Sequence, residues 1–194
     1  RPILTGSLFE YKSGTLTIVS IDGYRLALRT LKPESQVQDY SMVIPGKTLN
    51  EISKIIQPVD EELTIYATGN QILFDLGNCT MVSRLLEGEY LNYSGIIPKE
   101  HETMVTVNTK ELLACFERAS LIIVNDERRY PVNLEISDDM MVITCNTEVG
   151  NVREEIKADM DGKKLEIAFN PKYFIEALKL IENETVNIYF TTNI

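Results

Sequence analysis

Apolar residues recur at helical spacing in three segments of the chain, and each segment opens with a helix-start signal. The first segment begins with Thr48-x-x-Glu51, which predicts a capping box. The second follows Asn108, and the third opens with Asn170-Pro171, a capping residue followed by a proline at the first helical position. The amphipathic helices predicted in this way are residues 47–57, 109–123 and 171–182.

Between the helices, apolar and polar residues alternate with a period of two, most regularly in residues 132–137. Asp22-Gly23 and Gly69-Asn70 supply hairpin-turn signals, and the opening residues 1–6 also read as part of a strand. Six further strands are predicted at residues 15–20, 24–29, 63–68, 71–76, 140–145 and 164–169. Antiparallel strands with amphipathic helices laid on one face of a sheet place the chain in the α+β class.

The chain also contains an internal repeat. Residues 44–56, IPGKTLNEISKII, return as residues 169–181, FNPKYFIEALKLI, at a constant offset of 125 that aligns Lys47 with Lys172. A period this long indicates a duplicated domain, since the repeats of a solenoid span roughly 20–50 residues. Function is therefore expected from two copies of one module.

A polar break at residues 98–101, Pro-Lys-Glu-His, separates the two copies, so the predicted domains are residues 1–99 and 100–194. The first copy continues beyond residue 70 with apolar segments that have no counterpart at the end of the second copy. We therefore expect a fragment in which the first domain lacks its opening helix and the second lacks its closing strands.

The net charge of −10 is unevenly distributed along the chain. Residues 1–99 hold 9 Lys and Arg against 11 Asp and Glu, whereas residues 100–194 hold 10 against 18. Taken alone, this acidity speaks against a nucleic-acid partner, because phosphate contacts need clustered cations. Net charge leaves open a single basic face on an otherwise acidic protein.

The three cysteines, Cys79, Cys115 and Cys145, are odd in number, well separated and set in apolar patterns. This usage predicts buried thiols in a reducing compartment and not a disulfide framework. No run of residues approaches the ~20 consecutive apolar positions that a membrane-spanning helix needs. We expect a cytoplasmic protein.

The sequence contains few residue patterns that are typical of catalytic sites. The only histidine, His101, lies in the polar break, and no metal-ligand spacing surrounds it. Glycine-rich phosphate loops and the G-x-S-x-G pattern are absent. The acidic pairs Glu61-Glu62, Asp138-Asp139 and Glu154-Glu155 are expected on solvated surface, and a buried thiol is expected at Cys115. We predict no active site, no metal and no cofactor; an enzyme that uses Cys115 or the acidic pairs is the alternative.

One hairpin invites a functional interpretation. IDGYRLALR (21–29) places Tyr24 and Arg25 beside the apolar Leu26 and Leu28. Tyrosine and arginine dominate binding hot spots, so this hairpin can rim a shallow apolar groove. The alternative is an ordinary hairpin in which Arg25 pairs with a neighbouring carboxylate.

Seven segments together carry a family resemblance: RPILTG (1–6), IDGYRLALR (21–29), IPGKTLNEISKII (44–56), SRLLEGEYLNYSGIIPK (83–99), NTKELLACFERASLI (108–122), RYPVNLEIS (129–137) and AFNPKYFIEALK (168–179). They closely resemble the bacterial sliding clamps, the beta subunits of DNA polymerase III, and most of all those of Gram-positive type. A subunit of this family has three copies of one domain. The resemblance runs along the whole chain in family order and covers most of the second domain and about two-thirds of the third.

The resemblance implies the DNA-clamp fold and a ring. Two subunits would join head to tail around duplex DNA, with strands outside and helices lining the hole. The apolar pair Leu121 and Ile122 corresponds to the buried pair at the family's subunit interface. The cations that become candidates to face DNA phosphates are Lys47, Lys54, Lys110, Arg118, Lys172 and Lys179.

The resemblance also implies a groove between the second and third domains. That groove takes short peptides with an apolar C-terminal anchor from polymerase subunits, the clamp loader and repair enzymes. Its walls in this chain would include Arg1, Leu4, Ile21, Gly23, Tyr24, Arg25, Leu26, Leu91, Gly95 and Ile96. The chain departs from the family's usual residues at Ile21, Tyr24 and Leu91, which keeps the pocket apolar and alters its fine specificity.

We therefore expect a non-catalytic processivity clamp that encircles DNA without reading its sequence and that forms a homodimer in the full-length protein. Its expected partners are the catalytic subunit of DNA polymerase III, the clamp loader and other proteins that carry a clamp-binding peptide. The alternative is a duplicated protein–protein interaction module without DNA binding, which the sequence pI of 4.7 would suit.

Overall fold

The computed structural model describes residues 2–34, 38–57, 62–123 and 130–191. The chain divides into two compact units, Arg1–Ile97 and Pro98–Ile194. The division lies close to the boundary predicted after residue 99. Each unit combines antiparallel sheets with amphipathic helices, as the α+β prediction required.

The first unit opens with a 3₁₀ turn, Pro2–Thr5, so the strand predicted at residues 1–6 is wrong. The Thr5 hydroxyl donates to the Pro2 carbonyl at 2.7 Å and closes this turn. The elements that follow are β1 Gly6–Lys12, β2 Thr15–Ile21, β3 Leu26–Leu31, β4 Tyr40–Pro45, α1 Gly46–Ile55, β5 Thr64–Ala67, β6 Gln71–Asp75 and β7 Thr80–Arg84. The first four strands form a sheet in the order β3-β2-β1-β4, and helix α1 leads to a three-stranded sheet in the order β5-β6-β7.

Helix α1 starts earlier than its sequence predicts, and the predicted capping box is wrong. Pro45 is the N-cap residue and contributes no side-chain hydrogen bond. Gly46 passes so near Thr5 that a Cβ at position 46 would lie 2.8 Å from the Thr5 carbonyl oxygen. Because the chain turns into the helix at this glycine, Thr48 lies inside the first turn, where its hydroxyl shares a 2.7 Å hydrogen bond with Ser83.

The elements of the second unit are β8 Thr103–Asn108, α2 Thr109–Leu121, β9 Val132–Ser137, β10 Met140–Thr147, β11 Gly150–Gly162, β12 Leu165–Phe169, α3 Pro171–Leu178 and β13 Thr185–Phe190. Its six described strands form one antiparallel sheet in the order β12-β9-β10-β11-β8-β13. Both helix caps are as predicted: the Asn108 side chain accepts from the amides of Lys110 and Glu111, and that of Asn170 accepts from the amide of Lys172.

The helices of the second unit pack on its sheet through a continuous apolar core. Leu112 and Phe116 of α2 are fully buried against strand residues such as Leu134 and Ile143. The rings of Phe116 and Phe174 stack with their centroids 4.6 Å apart, which joins α2 to α3. Burial of large apolar side chains of this kind is the main stabilising contribution to such a unit.

Two hairpin turns repeat the duplication in backbone conformation. Ser13 and Gly14 between β1 and β2 have φ of 51° and 81°, and Asp138 and Asp139 between β9 and β10 have φ of 43° and 61°. Positive φ at both central residues is the mark of a type I′ hairpin turn. The two turns lie 125 residues apart, the same offset as the sequence repeat.

Candidate functional site

One face of the four-stranded sheet in the first unit carries an apolar cluster. Its buried members are Ile3, Leu8, Val19 and Val43. Partly buried side chains pack around them: Leu4, Ile21, Leu26, Leu86, Tyr90 and Tyr93. The structure therefore brings together three of the predicted groove residues, Leu4, Ile21 and Leu26, although they lie on three separate elements.

The hairpin turn that follows Ile21 is held by Asp22. One carboxylate oxygen accepts from the amides of Tyr24 at 2.8 Å and Arg25 at 3.0 Å, and the other accepts from the Arg25 Nε at 2.9 Å. The amide of Tyr24, opposed by slight burial and then helped by Arg25, holds the pKa of Asp22 below its ordinary value. The carboxylate partner that the sequence offered for Arg25 is thus present, and the same contact sets where the guanidinium lies at the mouth of the hairpin.

A segment after β7 crosses the same sheet face and is tied down by two tyrosines. The Leu86 amide donates to the Val43 carbonyl at 2.9 Å. The Tyr90 hydroxyl lies 3.2 Å from the Gly6 carbonyl and 3.3 Å from that of Val19. A Cβ on Gly6 would lie 2.6 Å from the backbone carbonyl oxygen of Ile44 and 2.8 Å from a methyl carbon of Leu86, so the close packing of β1 against β4 and this segment needs glycine at position 6.

The remaining predicted groove residues lie on this crossing segment and at the hairpin. Leu91 is partly buried, whereas Gly23, Arg25 and Gly95 are exposed. Tyr24 and Ile96 expose 69% and 52% of their surface, unusually large fractions for apolar side chains beside an apolar cluster. Arg1 lies outside the described residues.

Sequence reasoning missed the two anchoring tyrosines and a cavity next to them. Tyr93 donates from its hydroxyl to the Glu10 carboxylate at 2.8 Å. A cavity of about 720 Å³ lies between the crossing segment and strands β1 and β4, and its lining combines the apolar Leu8, Val43 and Leu91 with the charged Glu10 and Lys12. The available signal was the spacing of the two tyrosines in EGEYLNYSG, three residues apart after a turn.

The six predicted DNA-facing cations lie on or directly after the three helices, and they divide into two groups. Lys47, Lys110 and Lys172 are exposed at the second position of α1, α2 and α3. Lys54, Arg118 and Lys179 lie at the opposite helix ends and pair with carboxylates.

The predicted interface pair lies at the end of α2. Leu121 is 78% exposed at the last helical position. Ile122 is partly buried and packs against the core of the second unit. An exposed leucine beside a core-anchored isoleucine offers an apolar contact that does not require the helix to move.

The candidate nucleophile is not activated. Cys115 is 1% exposed, and burial, followed by the nearby Glu154 carboxylate, raises the pKa of its thiol. Glu154 lies 3.9 Å from the sulfur, but the hydrogen bond from Arg118 lowers the pKa of that carboxyl, which makes it a poor base. His101 packs its ring against Tyr189 with centroids 4.8 Å apart.

Among the described residues, the remaining members of the acidic pairs, Glu62, Asp138, Asp139 and Glu155, are exposed. Asp138 and Asp139 form the turn between β9 and β10, and Glu155 is exposed on β11. Glu61 lies outside the described residues. Within residues 2–34, 38–57, 62–123 and 130–191, no group of three His, Cys, Asp or Glu side chains could hold a metal ion. Over the same residues, no helix is long and apolar enough to cross a membrane.

Comparison with protein families identifies both units. The central domain of the DNA polymerase III beta subunit matches residues 1–92, and the C-terminal domain of the same subunit matches residues 94–194. A beta sliding clamp from Halalkalibacterium halodurans is 41% identical over 197 residues, covering 98% of this chain and 52% of that protein. One from Staphylococcus epidermidis is 34% identical over 192 residues, covering 98% of this chain and 51% of that protein.

Solved structures agree. The DNA polymerase sliding clamp from Bacillus subtilis superposes with a TM-score of 0.94 at 38% identity, covering 98% of this chain and 51% of that one. The beta subunit from the DNA polymerase of Streptococcus pyogenes gives a TM-score of 0.92 at 34% identity, covering 100% and 53%. The chain thus spans about half the length of the relatives that it matches.

Proposed function

The chain belongs to the DNA polymerase III beta subunit family, the beta sliding clamps, and from this premise we propose that the protein carrying it encircles duplex DNA and confers processivity on the replicative polymerase. The observation that carries the proposal is the match of two successive domains of one clamp subunit to the two units of the chain. The proposed role is non-catalytic and cytoplasmic.

The charge distribution of the second unit supports this role. Its helices pack on one face of the six-stranded sheet, and the other face carries acidic residues on neighbouring strands. Glu135 and Glu166 lie directly opposite each other on β9 and β12, and both are exposed. This pair of carboxylates places negative charge on the face away from the helices, where it would repel a polyanion.

The helices then supply the surface that faces DNA. Their cations, Lys47, Lys54, Lys110, Arg118, Lys172 and Lys179, are the candidates, and contacts of lysine or arginine with phosphate carry no sequence information. Such contacts are weak and salt-sensitive. Enclosure of the duplex, and not affinity, would keep the protein on its template while it slides.

Partner proteins would dock on the apolar cluster of the first unit. Leu4, Ile21 and Leu26 form its partly buried border, and Tyr24 and Ile96 add exposed apolar surface. A peptide with an apolar anchor at its C-terminal end would fill this border region. The proposed peptide donors are the polymerase catalytic subunit, the clamp loader and other proteins with a clamp-binding peptide.

Self-association would use the end of α2. Leu121 offers exposed apolar surface, and Ile122 fixes it to the core. Burial of such a leucine contributes roughly 1.5–3 kcal/mol. In the full-length protein, this contact would close a homodimeric ring.

Retention on circular DNA tests the clamp function. The full-length protein, assembled on a nicked circular duplex by a clamp loader, is expected to stay bound through gel filtration and to leave after a restriction enzyme linearises the DNA. Bound protein that survives linearisation would point to ordinary affinity. Failure to associate with either form would leave the interaction module without DNA binding as the better reading.

A further inference from the structure

We propose that the three lysines at helix starts, Lys47, Lys110 and Lys172, supply the attraction to duplex DNA. The three cations at helix ends, Lys54, Arg118 and Lys179, instead stabilise the folded protein. The proposal rests on the clamp function proposed above and narrows six candidate cations to three. The first three stand at helix starts, and the second three stand at helix ends.

Every cation at a helix end has its own carboxylate. The pairs are Lys54 with Glu51 at 2.9 Å, Arg118 with Glu154 at 2.6 Å, and Lys179 with Glu117 at 2.9 Å. A phosphate that approaches such a pair must displace the carboxylate that already holds the cation. Paired cations therefore contribute little to phosphate binding.

The cations at the helix starts have no such partner. Within the described part of the chain, the ammonium groups of Lys47, Lys110 and Lys172 make no hydrogen bond or ion pair. All three are exposed. Each can therefore contact a phosphate without breaking a contact within the protein.

Glu51 lies near both lysines of α1, and its carboxylate forms its ion pair with Lys54. The hydrogen bond from Lys54 is the first cause of the lowered pKa of Glu51, and the charge of Lys47 is the last. Lys47 thus stays outside the pair, although it lies one helical turn from the same carboxylate.

The positions of the two groups also differ in what they do for the helices. A cation in the last turn of a helix interacts favourably with the helix dipole, and a cation in the first turn interacts unfavourably with it. The helix-end cations therefore have a role within their own helices, through the dipole and through their carboxylate partners. The helix-start lysines interact unfavourably with the dipole in all three helices, so helix stability does not explain their positions.

The ammonium groups, and not the helix ends themselves, carry the proposed phosphate contacts. The first-turn amides of α2 already donate to Asn108, and an amide of α3 donates to Asn170. Those amides are occupied, so a phosphate near α2 or α3 would be held through a lysine side chain.

Equilibrium binding of the full-length protein to a labelled duplex of about 30 base pairs, followed by fluorescence anisotropy between about 50 and 200 mM salt, tests this division. In the variant K47Q/K110Q/K172Q, the slope of log K against log salt should fall by about 0.9 per lysine, and affinity should fall more than about tenfold. Its melting temperature should be unchanged or higher.

Two controls isolate the cause. The variant K12Q/K99Q/K157Q removes the same formal charge from strands and the inter-unit linker and should keep the affinity within about twofold. Deletion of whole pairs, in E51Q/K54Q and E117Q/K179Q, removes no net charge and should leave the affinity and the slope unchanged while lowering stability slightly.

Equal losses of DNA affinity in K47Q/K110Q/K172Q and K12Q/K99Q/K157Q would overturn the proposed division of the cations into two groups. A loss of affinity in the pair-deleted variants would overturn it as well. If the unmodified protein is retained on circular DNA but does not bind the linear duplex, the proposed lysine attraction is refuted and the clamp function stands. Absence of binding to both forms would instead refute the clamp function on which the proposal rests.

Discussion

The guanidinium of Arg118 and the carboxylate of Glu154 join helix α2 to strand β11 through two contacts, Nε to Oε1 at 2.6 Å and Nη2 to Oε2 at 3.0 Å. Two-point contacts of arginine with a carboxylate are among the strongest side-chain hydrogen bonds. Nη2 also lies 3.4 Å from the Cys115 sulfur, so the pair covers the buried thiol. It holds the last turn of α2, one turn before Leu121.

The Arg118–Glu154 contact predicts a pH-dependent loss of stability in Glu154→Gln. Because the arginine lowers the pKa of Glu154 in the folded protein, the pair contributes stability above the ordinary glutamate value of 4.5 and loses that contribution as the pH falls through the lowered pKa. Near neutral pH, Glu154→Gln should lower the melting temperature by a few degrees. Thermal melts across a pH series should show the two proteins converging as the pH falls below 4.5 and through the lowered pKa of Glu154.

Glu155→Gln is the matched control. The adjacent carboxylate points to the exposed face of β11 and pairs with Arg153 at 2.8 Å, where both side chains are at least half exposed. Solvent-exposed pairs of this kind contribute little. A melting temperature that changes as much in Glu155→Gln as in Glu154→Gln would contradict the special role of the α2–β11 contact.

The cysteines should differ in their reaction with a thiol reagent. Burial raises the pKa of Cys145, and burial together with Glu154 raises that of Cys115, whereas Cys79 is partly exposed. The thiolate is the reactive form, so a single fast-reacting thiol is expected in the native protein at neutral pH. Cys79→Ser should remove that fast phase. Fast modification of Cys115, located by mass spectrometry, would revive the enzyme alternative.

Helix capping makes a separate stability prediction. Asn108→Ala removes an acceptor for two amides of α2 and should destabilise the second unit by about 1 kcal/mol, measured by urea denaturation. Thr48→Ala should leave the start of α1 intact, because Thr48 lies inside the helix and bonds to Ser83. A larger loss at Thr48 than at Asn108 would restore the capping box that the sequence suggested.

The caps also show how far local sequence predicted the fold. Asn108 and Asn170 acted as predicted because each side chain accepts from amides only two or three residues further along the chain, a contact that depends on local sequence alone. At α1, the close approach of Gly46 to Thr5 moved the helix start, and this tertiary contact leaves no local sequence signal. The helix ends were predicted two to four residues too far along, because apolar residues that follow α2 and α3, such as Ile123 and Ile181, pack on the core without being helical.

Strand β11, Gly150–Gly162, is the longest of the described strands, and the sequence pattern did not predict it. Its inward-facing positions include Ile156 and Ala158, but Glu154 interrupts the apolar series. That inward carboxylate is tolerated because Arg118 reaches it from α2. A partner 36 residues away in sequence cannot be read from a two-residue period.

The candidate groove was predictable as a set of residue types and not as an arrangement. The hairpin at Asp22 follows from its sequence, and the contact between Asp22 and Arg25 was one of two alternatives that the residues offered. The tyrosine anchors of the crossing segment were not predictable, because Tyr90 bonds to backbone carbonyls of β1 and β2 more than 70 residues away.

The groove predicts a selective loss of peptide binding in Leu26→Ala. A pentapeptide or hexapeptide that ends in Leu-Phe is expected to bind the full-length protein at micromolar strength, and removal of the Leu26 side chain from the apolar cluster should weaken it roughly tenfold. Arg25→Ala should weaken it as well. Isothermal titration measures both changes.

Leu31→Ala supplies the control for Leu26→Ala. Leu31 lies on the same strand, β3, but an odd number of residues away, so its side chain is on the opposite face of the sheet. It is 40% exposed, and its loss should not affect the peptide. Equal binding by the unmodified protein, Leu26→Ala and Arg25→Ala would remove the groove assignment.

The end of α2 predicts the oligomeric state. Leu121→Ala, alone or with Ile122→Ala, should shift the full-length protein from dimer towards monomer in sedimentation velocity, because burial of this exposed leucine is lost from the interface. The single variant is the sharper test, since Ile122 also packs on the core and its truncation costs folding stability. Leu180→Ala removes a side chain with 80% exposure, compared with 78% for Leu121, from the same unit and should leave the dimer intact. If both leucine variants dissociate alike, or if neither does, the end of α2 is not the self-association surface.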